Sequence, residues 1–412
     1  MATEDASEGW GGAGSGDVLS PEQLSANPAL DGQRVRAGGR LIAVGGWQLA
    51  SALGAIAVEF EGAAEPLHEA LAVLEGTLDG STLRGTRVLY QQPGGAPALE
   101  WQRLFRGGTG QRLALRARLL AQVRAYFVSQ GFLEVDTPLR SAESGTETHV
   151  EPIRSEQAYL ITSPELHMKR LLVAGVPRLF QIVHCFRAGE RGRLHAPEFT
   201  MLEWYRAFAG YAAVLEDTER IVHALQLGVA GTPWLTLPSG ARIDLSLPFP
   251  RLSVREAFAR YAGVSDAPAL AARDEDRYFQ LLVDRVEPAL AALGRPVFLY
   301  DYPASQAALA RLSPSDPSVA ERFELYVGEV ELCNGYGELT DPREQRARCE
   351  ADRARRLTLG RPVPEVPARF VGALEQGMPP ASGNALGIDR LLMLLCGQDR
   401  IDAVTPFASE EA

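Results

Sequence analysis

Residues Leu179–Ala207 read LFQIVHCFRAGERGRLHAPEFTMLEWYRA, two apolar halves around a loop of charged residues and glycines. This pattern predicts a long antiparallel hairpin. With the period of two of a strand, Phe199, Met201, Glu203 and Tyr205 share one face of the returning half. A ring, a carboxylate and a phenol on one face can make the floor of a site. Arg187, at the end of the outgoing half, carries a guanidinium able to grip a phosphate through two hydrogen bonds. The same residues also fit a surface hairpin with an ordinary cross-strand ion pair, so the decision falls to the segments on either side.

Downstream, Ala320–Asp341 reads AERFELYVGEVELCNGYGELTD. A two-residue turn at Gly328-Glu329 sets Tyr326 opposite Glu331, with Glu324 diagonally across on the same face. Two carboxylates so placed repel unless a divalent cation lies between them, or unless both are solvated. Simple alternation puts Asn334, Tyr336 and Glu338 on the face opposite Glu331. Both sets can line one pocket only if a bulge intervenes near Cys333. Further on, Ala381–Gly397 reads ASGNALGIDRLLMLLCG, glycines leading into an apolar helix that stops at Gly397. Arg390 falls in the first turn of that helix, where the macrodipole disfavours a cation. A bound anion would explain it, as would a side chain snorkelling to the surface. Upstream, in TSPELHMKRLLVAG, Ser163 suits an N-cap, Pro164 the first helical position and Glu165 the helix dipole.

Around these segments the chain divides in two. Residues 1–30 are rich in Gly, Ser and Ala and read as a mobile tail. From 31 to 93, RVRAGGRLIAV, GWQLASALG, AIAVEFEG, ALAVLEGTLDG and TLRGTRVLYQ predict a small five-stranded OB-like barrel, with only Leu67–Leu74 open to a helical reading. Residues 94–110 read as a linker, and 111–412 as the larger domain. That domain opens on an amphipathic helix with Leu115, Leu119, Leu120, Val123 and Phe127 on one face, stopped by Gly131. The segment FLEVDTPL follows as a strand interrupted by Pro138. A helical stretch from about Tyr211 to Leu293 contains a capping box at Ser253–Glu256.

At 412 residues with 46% hydrophobic and 23% charged content, the composition is that of a globular chain of two domains. No run of eighteen apolar residues predicts a membrane span, and the chain is expected to be cytoplasmic. Its four cysteines are scattered, without the pairing of a zinc site or a disulfide framework. A net charge of −11 argues against a broad phosphate-binding surface.

In chain order, GFLEVDTPL, FRAGERGRLHAPEFTMLEWYR and GNALGIDRLLML resemble motifs 1, 2 and 3 of the class II aminoacyl-tRNA synthetases of the lysyl subgroup, with TSPELHMKRL and ELCNGYGELTD between them. Within that subgroup, TSPELHMKRLLVAG, PEFTMLEWYR, YPASQAALA, AERFELY and NGYGELTDPREQ are similar to the elongation factor P lysine ligases, the truncated lysyl-tRNA synthetase paralogues. The resemblance implies an α+β fold, a class II catalytic domain whose antiparallel sheet is flanked by helices, here preceded by the barrel. It implies a dimer built on motif 1, with ATP and Mg²⁺ as cofactors. The reaction implied is adenylation of lysine or (R)-β-lysine, then transfer to a lysine of elongation factor P. Arg187 would hold the α-phosphate and Arg390 the γ-phosphate, both as catalytic residues. Phe199 would stack on adenine, His195 would approach the terminal phosphates, and Glu324 and Glu331 would bind Mg²⁺. Ser163, Glu165, Glu203, Tyr205, Asn334, Tyr336, Glu338 and Ala385 would surround the lysine-like substrate.

Three departures bear on this. Lysyl enzymes carry Arg-x-Glu in motif 2, whereas Gly189 stands third here and Glu190 follows as a candidate adenine contact. Ala196 replaces an Asn. Ser163 and Ala385 stand where lysyl-tRNA synthetases have Ala and Gly, as in the elongation factor P ligases. The barrel, with five Arg, no Lys and seven acidic residues from 31 to 93, is poor material for an anticodon and reads as a relic of an RNA-binding fold. A genuine tRNA charger and a catalytically silent paralogue remain the competing readings.

Overall fold

A computed structural model describes residues 17–62, 66–94 and 101–407. The chain separates into two compact units, Met1–Leu115 and Arg116–Ala412.

In the first unit, strands β2 (Arg34–Ala43), β3 (Trp47–Ala50), β4 (Ala55–Phe60), β5 (Leu71–Asp79) and β6 (Thr82–Gln92) pair in the ring β2-β3-β4-β6-β5, closed by β5 against β2. These are the five segments expected as strands. Alternate residues turn inward, so Ala37, Leu41, Leu49, Ile56, Leu74 and Leu83 fill the interior. Two expectations are corrected. Residues 67–74 form no helix; Leu71–Leu74 is already strand, because it pairs with both β2 and β6. The tail expected over 1–30 is ordered in its second half. Strand β1 (Val18–Leu19) runs beside β2, and helix α1 (Pro21–Ala26) buries Leu24 in the barrel core. Residues 1–16 lie outside the described residues. So do 95–100 of the expected linker; its remainder includes a helical turn at Gln102–Arg106.

Helix α2 (Thr109–Ser129) opens the larger domain. Its expected apolar face is buried at Leu119, Val123 and Phe127, each at 0% exposure, and Gly131 takes φ +76° just beyond its end. The main sheet has eight strands in the order β10-β11-β12-β13-β14-β9-β8-β7. These are β7 (Leu133–Glu134), β8 (Arg178–Phe186), β9 (Glu198–Ala207), β10 (Arg251–Ser253), β11 (Val297–Pro303), β12 (Val319–Val327), β13 (Val330–Gly337) and β14 (Ala381–Gly387). The six inner strands are antiparallel, and the two outermost pair parallel to their neighbours. The predicted hairpin is β8–β9, in register from Arg178↔Arg206 to Phe186↔Glu198. Of the strand expected in FLEVDTPL only β7 forms. The helical stretch runs as α4 (Tyr211–Ala230) and, after short strands and a cis Leu247–Pro248 peptide, as short helices from Val254. The Ser253–Glu256 capping box is present in both directions.

The glycine-rich segment before Arg390 is strand β14, wedged at mid-sheet between β13 and β9. Its glycines are steric necessities. A Cβ at Gly383 would sit 2.3 Å from the Tyr205 ring, and one at Gly335 on β13 would sit 2.3 Å from the Phe323 ring. Backbone and ring therefore pack where two side chains could not.

Candidate active site

A cavity of about 730 Å³ opens on the face of this sheet. Ser163, Glu165, Arg187, Glu190, His195, Phe199, Glu203, Tyr205, Glu331, Asn334, Tyr336, Glu338, Ala385 and Arg390 all line it. Of the residues expected in the site, only Glu324 stands behind the wall. What gathers them is the bulge that alternation demanded. On β13, Tyr326 pairs with Glu331 but Leu325 with Cys333, so Leu332 is the extra residue. The slip returns Asn334 and Tyr336 to the face of Glu331.

The inner end is a cluster of carboxylates around an ammonium. Ser163 Oγ donates to Glu203 Oε1 at 2.5 Å and accepts from the Glu165 N–H at 3.0 Å. The serine therefore holds the first N–H of helix α3 (Glu165–Val173), whose N-cap is Pro164 rather than the expected Ser163, and binds the site floor at once. Tyr205 donates to Glu203 Oε2 at 3.0 Å. Glu203 and Glu338 are each 1% exposed. Burial, reinforced by the Glu165 charge, pushes the Glu203 carboxyl up to about 8. Burial likewise raises Glu338 to about 7, with Lys169 beside it working against the shift. Lys169, fully buried, bonds Glu165 and lies 2.5 Å from Glu338 Oε2. Sequence reading missed it. It stands four residues after Glu165 on a helix, the spacing of an ordinary exposed ion pair.

At the other end the donors are positive and the Phe199 ring is partly buried. The Arg187 guanidinium lies 5.0 Å from the Phe199 ring centroid, donates to the Thr162 carbonyl at 3.4 Å and faces Glu190 at 3.5 Å. Gly189 takes φ +75°, a conformation that a glutamate at this place would adopt only under strain. Arg390, in the first turn of α5 (Ile388–Leu395), donates to the carbonyls of Leu194 at 3.2 Å and Glu331 at 2.8 Å. It also lies 2.9 Å from His195 Nε2. Burial first, and the Arg390 charge second, lower the pKa of His195 and keep the imidazole neutral. In the same first turn of α5, Asp389 bonds Arg116 of α2 and accepts the Thr200 N–H at 2.6 Å, tying the helix to the hairpin.

Glu324 accepts four hydrogen bonds: from Arg322 (2.6 Å) and Asn334 (3.2 Å) on one oxygen, from Tyr302 (2.5 Å) and Tyr326 (2.8 Å) on the other. Burial and the Glu324 charge push the Glu331 carboxyl up to about 7. Its nearest guanidinium nitrogen, on Arg390, is 3.9 Å away. A carboxylate raised by a like charge and facing a cavity is suited to a hard cation, and Mg²⁺ takes one or two protein carboxylates and completes its shell with phosphate oxygens and water. The rim opposite is pinned by Arg356. It is 0% exposed, donates to the carbonyls of Glu147 and Val150, and pairs with Glu151 at 2.6 Å.

An antiparallel sheet carrying a hairpin arginine, and a glycine-rich central strand running into a helix with a second arginine, define the catalytic core of a class II aminoacyl-tRNA synthetase. The chain belongs to the class II tRNA synthetases of the D, K and N type, whose family model matches residues 99–411. Among its relatives is the elongation factor P–(R)-β-lysine ligase of Vibrio cholerae, 41% identical over 309 residues, covering 72% of this chain and 94% of that protein. The proteins of the same name from Proteus mirabilis and Klebsiella pneumoniae are each 40% identical, over 72% and 73% of this chain and 94% and 95% of theirs. Among the described residues, no helix is long and apolar enough to cross a membrane.

Proposed function

We propose that this protein uses ATP to adenylate a diamino acid, (R)-β-lysine, and transfers it to a lysine side chain of elongation factor P. The observation that carries this reading is the polarity of one cavity. Buried carboxylates at one end suit ammonium groups, and Arg187, Phe199 and Arg390 at the other suit a nucleotide. The names of its relatives supply the acceptor and the β-amino acid.

In this reading, Phe199 stacks on adenine beside Glu190, and Arg187 holds the α-phosphate. Arg390, braced by the Leu194 and Glu331 carbonyls, meets the γ-phosphate, with neutral His195 adjoining as a donor. Glu331, backed by Glu324, would hold Mg²⁺, which supplies charge neutralisation at the phosphates. Glu203, Tyr205 and Glu338 receive the distal ammonium, while Glu165 receives the one nearer the carboxylate. Asn334, Tyr336 and Ala385 shape the walls between. The substrate carboxylate oxygen then attacks the α-phosphorus as the bond to pyrophosphate breaks. The acceptor amine next attacks the mixed anhydride, releasing AMP and a proton and leaving an amide. Positioning and charge stabilisation perform this chemistry without an obligate protein base.

ATP–pyrophosphate exchange with α- and β-lysine, followed by transfer to elongation factor P or to tRNA, tests the reading. Exchange without transfer to elongation factor P would reject the acceptor; charging of tRNA would replace it. The barrel supports the protein acceptor. Arg34, Arg36 and Arg87 all converge on Glu75, and Arg84 pairs with Glu59 and Asp79, so these cations are already engaged.

Substrate ammonium groups bind the ionised carboxyls, whereas burial holds Glu203 and Glu338 partly protonated near neutrality. Binding must therefore expel protons. The KM for the amino acid is expected to fall as pH rises from about 6 to about 8, by up to about tenfold per unit for each proton displaced. Steady-state exchange across that range measures it, and a flat KM would count against the cluster as the ammonium site.

A homodimer through the edge at β7 also belongs to this reading. Leu133, on a strand whose outer edge has no partner among the described residues, is 55% exposed, and Leu139, beyond the strand's end, is 43% exposed. Sedimentation should find a dimer, and a fully active monomer would refute it.

A further inference from the structure

Lys169 is a buried cation that the proposed mechanism leaves unused, and it stands among the groups meant for substrate. It is 0% exposed on α3. Facing it are Glu165 on its own helix, Glu338 just beyond β13, and Glu203 with Tyr205 on β9; the Phe370 ring lies 6.0 Å away. Arg311, already paired with Glu321, also acts on Glu338, and Glu147 acts on Glu165. A buried ammonium is costly unless carboxylates surround it, and buried carboxylates are costly without a cation. The two requirements meet here. Nζ bonds one oxygen of Glu165 and makes an ion contact of 2.5 Å with Glu338 Oε2; both Glu338 oxygens are buried without a hydrogen-bond partner, and Oε1 has no ion contact with the lysine either. Glu338 lines the cavity, and a Cβ at the neighbouring Gly383 would come within 2.9 Å of that same oxygen.

We propose that Lys169 is a positioning residue for the amino acid. It is a fixed internal ammonium that holds Glu165 and Glu338 by one oxygen each and turns Glu338 Oε1 toward the substrate. It also offsets one of three carboxylate charges. Three carboxylates with no internal cation would call for three substrate cations; with Lys169 in place the balance is two, the number an amino acid with a second amino group brings. The inference rests on the cavity's being the diamino acid site. An amino acid with a single ammonium leaves one buried carboxylate uncompensated, so the cluster discriminates by charge count as well as by shape.

The test is Lys169→Met, which removes the charge and keeps most of the volume. Pyrophosphate exchange is followed with (R)-β-lysine and with ATP as the varied substrate, from pH 6 to 9. The expected result is a rise of at least about tenfold in the amino acid KM at pH 7, with the ATP KM changed less than about twofold. The fall of the amino acid KM with pH should move upward by about one unit, since carboxyls deprived of the cation hold their protons longer. A purely structural lysine would raise both KM values or lower kcat without moving that profile, and this outcome overturns the proposal. So does an unchanged amino acid KM. If the single variant does not fold, Lys169→Gln, which removes the charge but keeps a hydrogen-bond donor, carries the same test. The amino acid KM and its profile should rise and shift as for the methionine variant, and an unmoved profile overturns the idea. Wild type that activates neither α- nor β-lysine would instead defeat the diamino acid reading itself.

Discussion

Arg187→Ala is expected to reduce ATP–pyrophosphate exchange by about 10²–10³-fold while leaving the protein folded, the usual cost of losing one preorganised charge contact to the reacting group. Few structural bonds depend on this guanidinium. It makes one long hydrogen bond, to the Thr162 carbonyl, and lies over Phe199, at the end of a strand otherwise held by the full β8–β9 ladder. Arg187→Lys should recover only part of the loss, because a point charge replaces a planar fork. Arg390→Ala should lose as much exchange but also loosen the loop at Leu194–His195, whose carbonyl and imidazole it holds. Exchange rates beside melting curves separate the two effects. Wild-type exchange in both alanine variants would show that the nucleotide lies elsewhere.

The second large effect concerns which lysine is preferred. Wild type should favour (R)-β-lysine, and Ser163→Ala/Ala385→Gly should shift the ratio of kcat/KM toward α-lysine by about ten- to two-hundred-fold, the range open to a methyl or hydroxyl in a pocket. The two residues approach Glu203 from different sides. Ser163 bonds its Oε1, and Ala385 is its partner across the sheet, with Asn334 opposite on the other strand. Removing the hydroxyl takes a donor from Glu203 and a cap from the Glu165 N–H, while removing the methyl opens space beside them. The amino group nearer the carboxylate then has room at the α-carbon. Measuring both lysines in both proteins decides the matter. A double variant with an unshifted ratio would leave Ser163 as a helix cap and Ala385 as packing, with the adenylating reading intact.

Lys169, a principal member of the cluster, was not legible beforehand. A Glu–Lys pair four apart on a helix signals a solvated face in most proteins. Here the helix packs against β9 and the segment around Phe370, and those distant elements turn the pair inward. Strand β14 was hidden for a related reason. Glycine has no strand preference of its own; Gly383 is strand because it pairs with Tyr205 and Tyr336 on its two neighbours, and it must be glycine because the Tyr205 ring occupies the space a side chain would need. The ordered part of the tail likewise depends on the barrel, whose interior receives Leu24.

The hairpin with its face of Phe199, Glu203 and Tyr205, the five barrel strands, the cap at Ser253, the helix start near Ser163 and the turn that pairs Tyr326 with Glu331 were legible in the chain alone. All of these follow from periodicity and from bonds between residues a few positions apart. The need for a bulge near Cys333 could be stated from alternation, and its position at Leu332 came from the structure. Tertiary structure alone decided the burial of Glu203 and Glu338, the bracing of Arg390 by two carbonyls and a neutral imidazole, and the place of Lys169 among the carboxylates. Proton affinity and charge balance depend on everything that excludes water from a group, and residues more than a hundred positions apart supply that exclusion here.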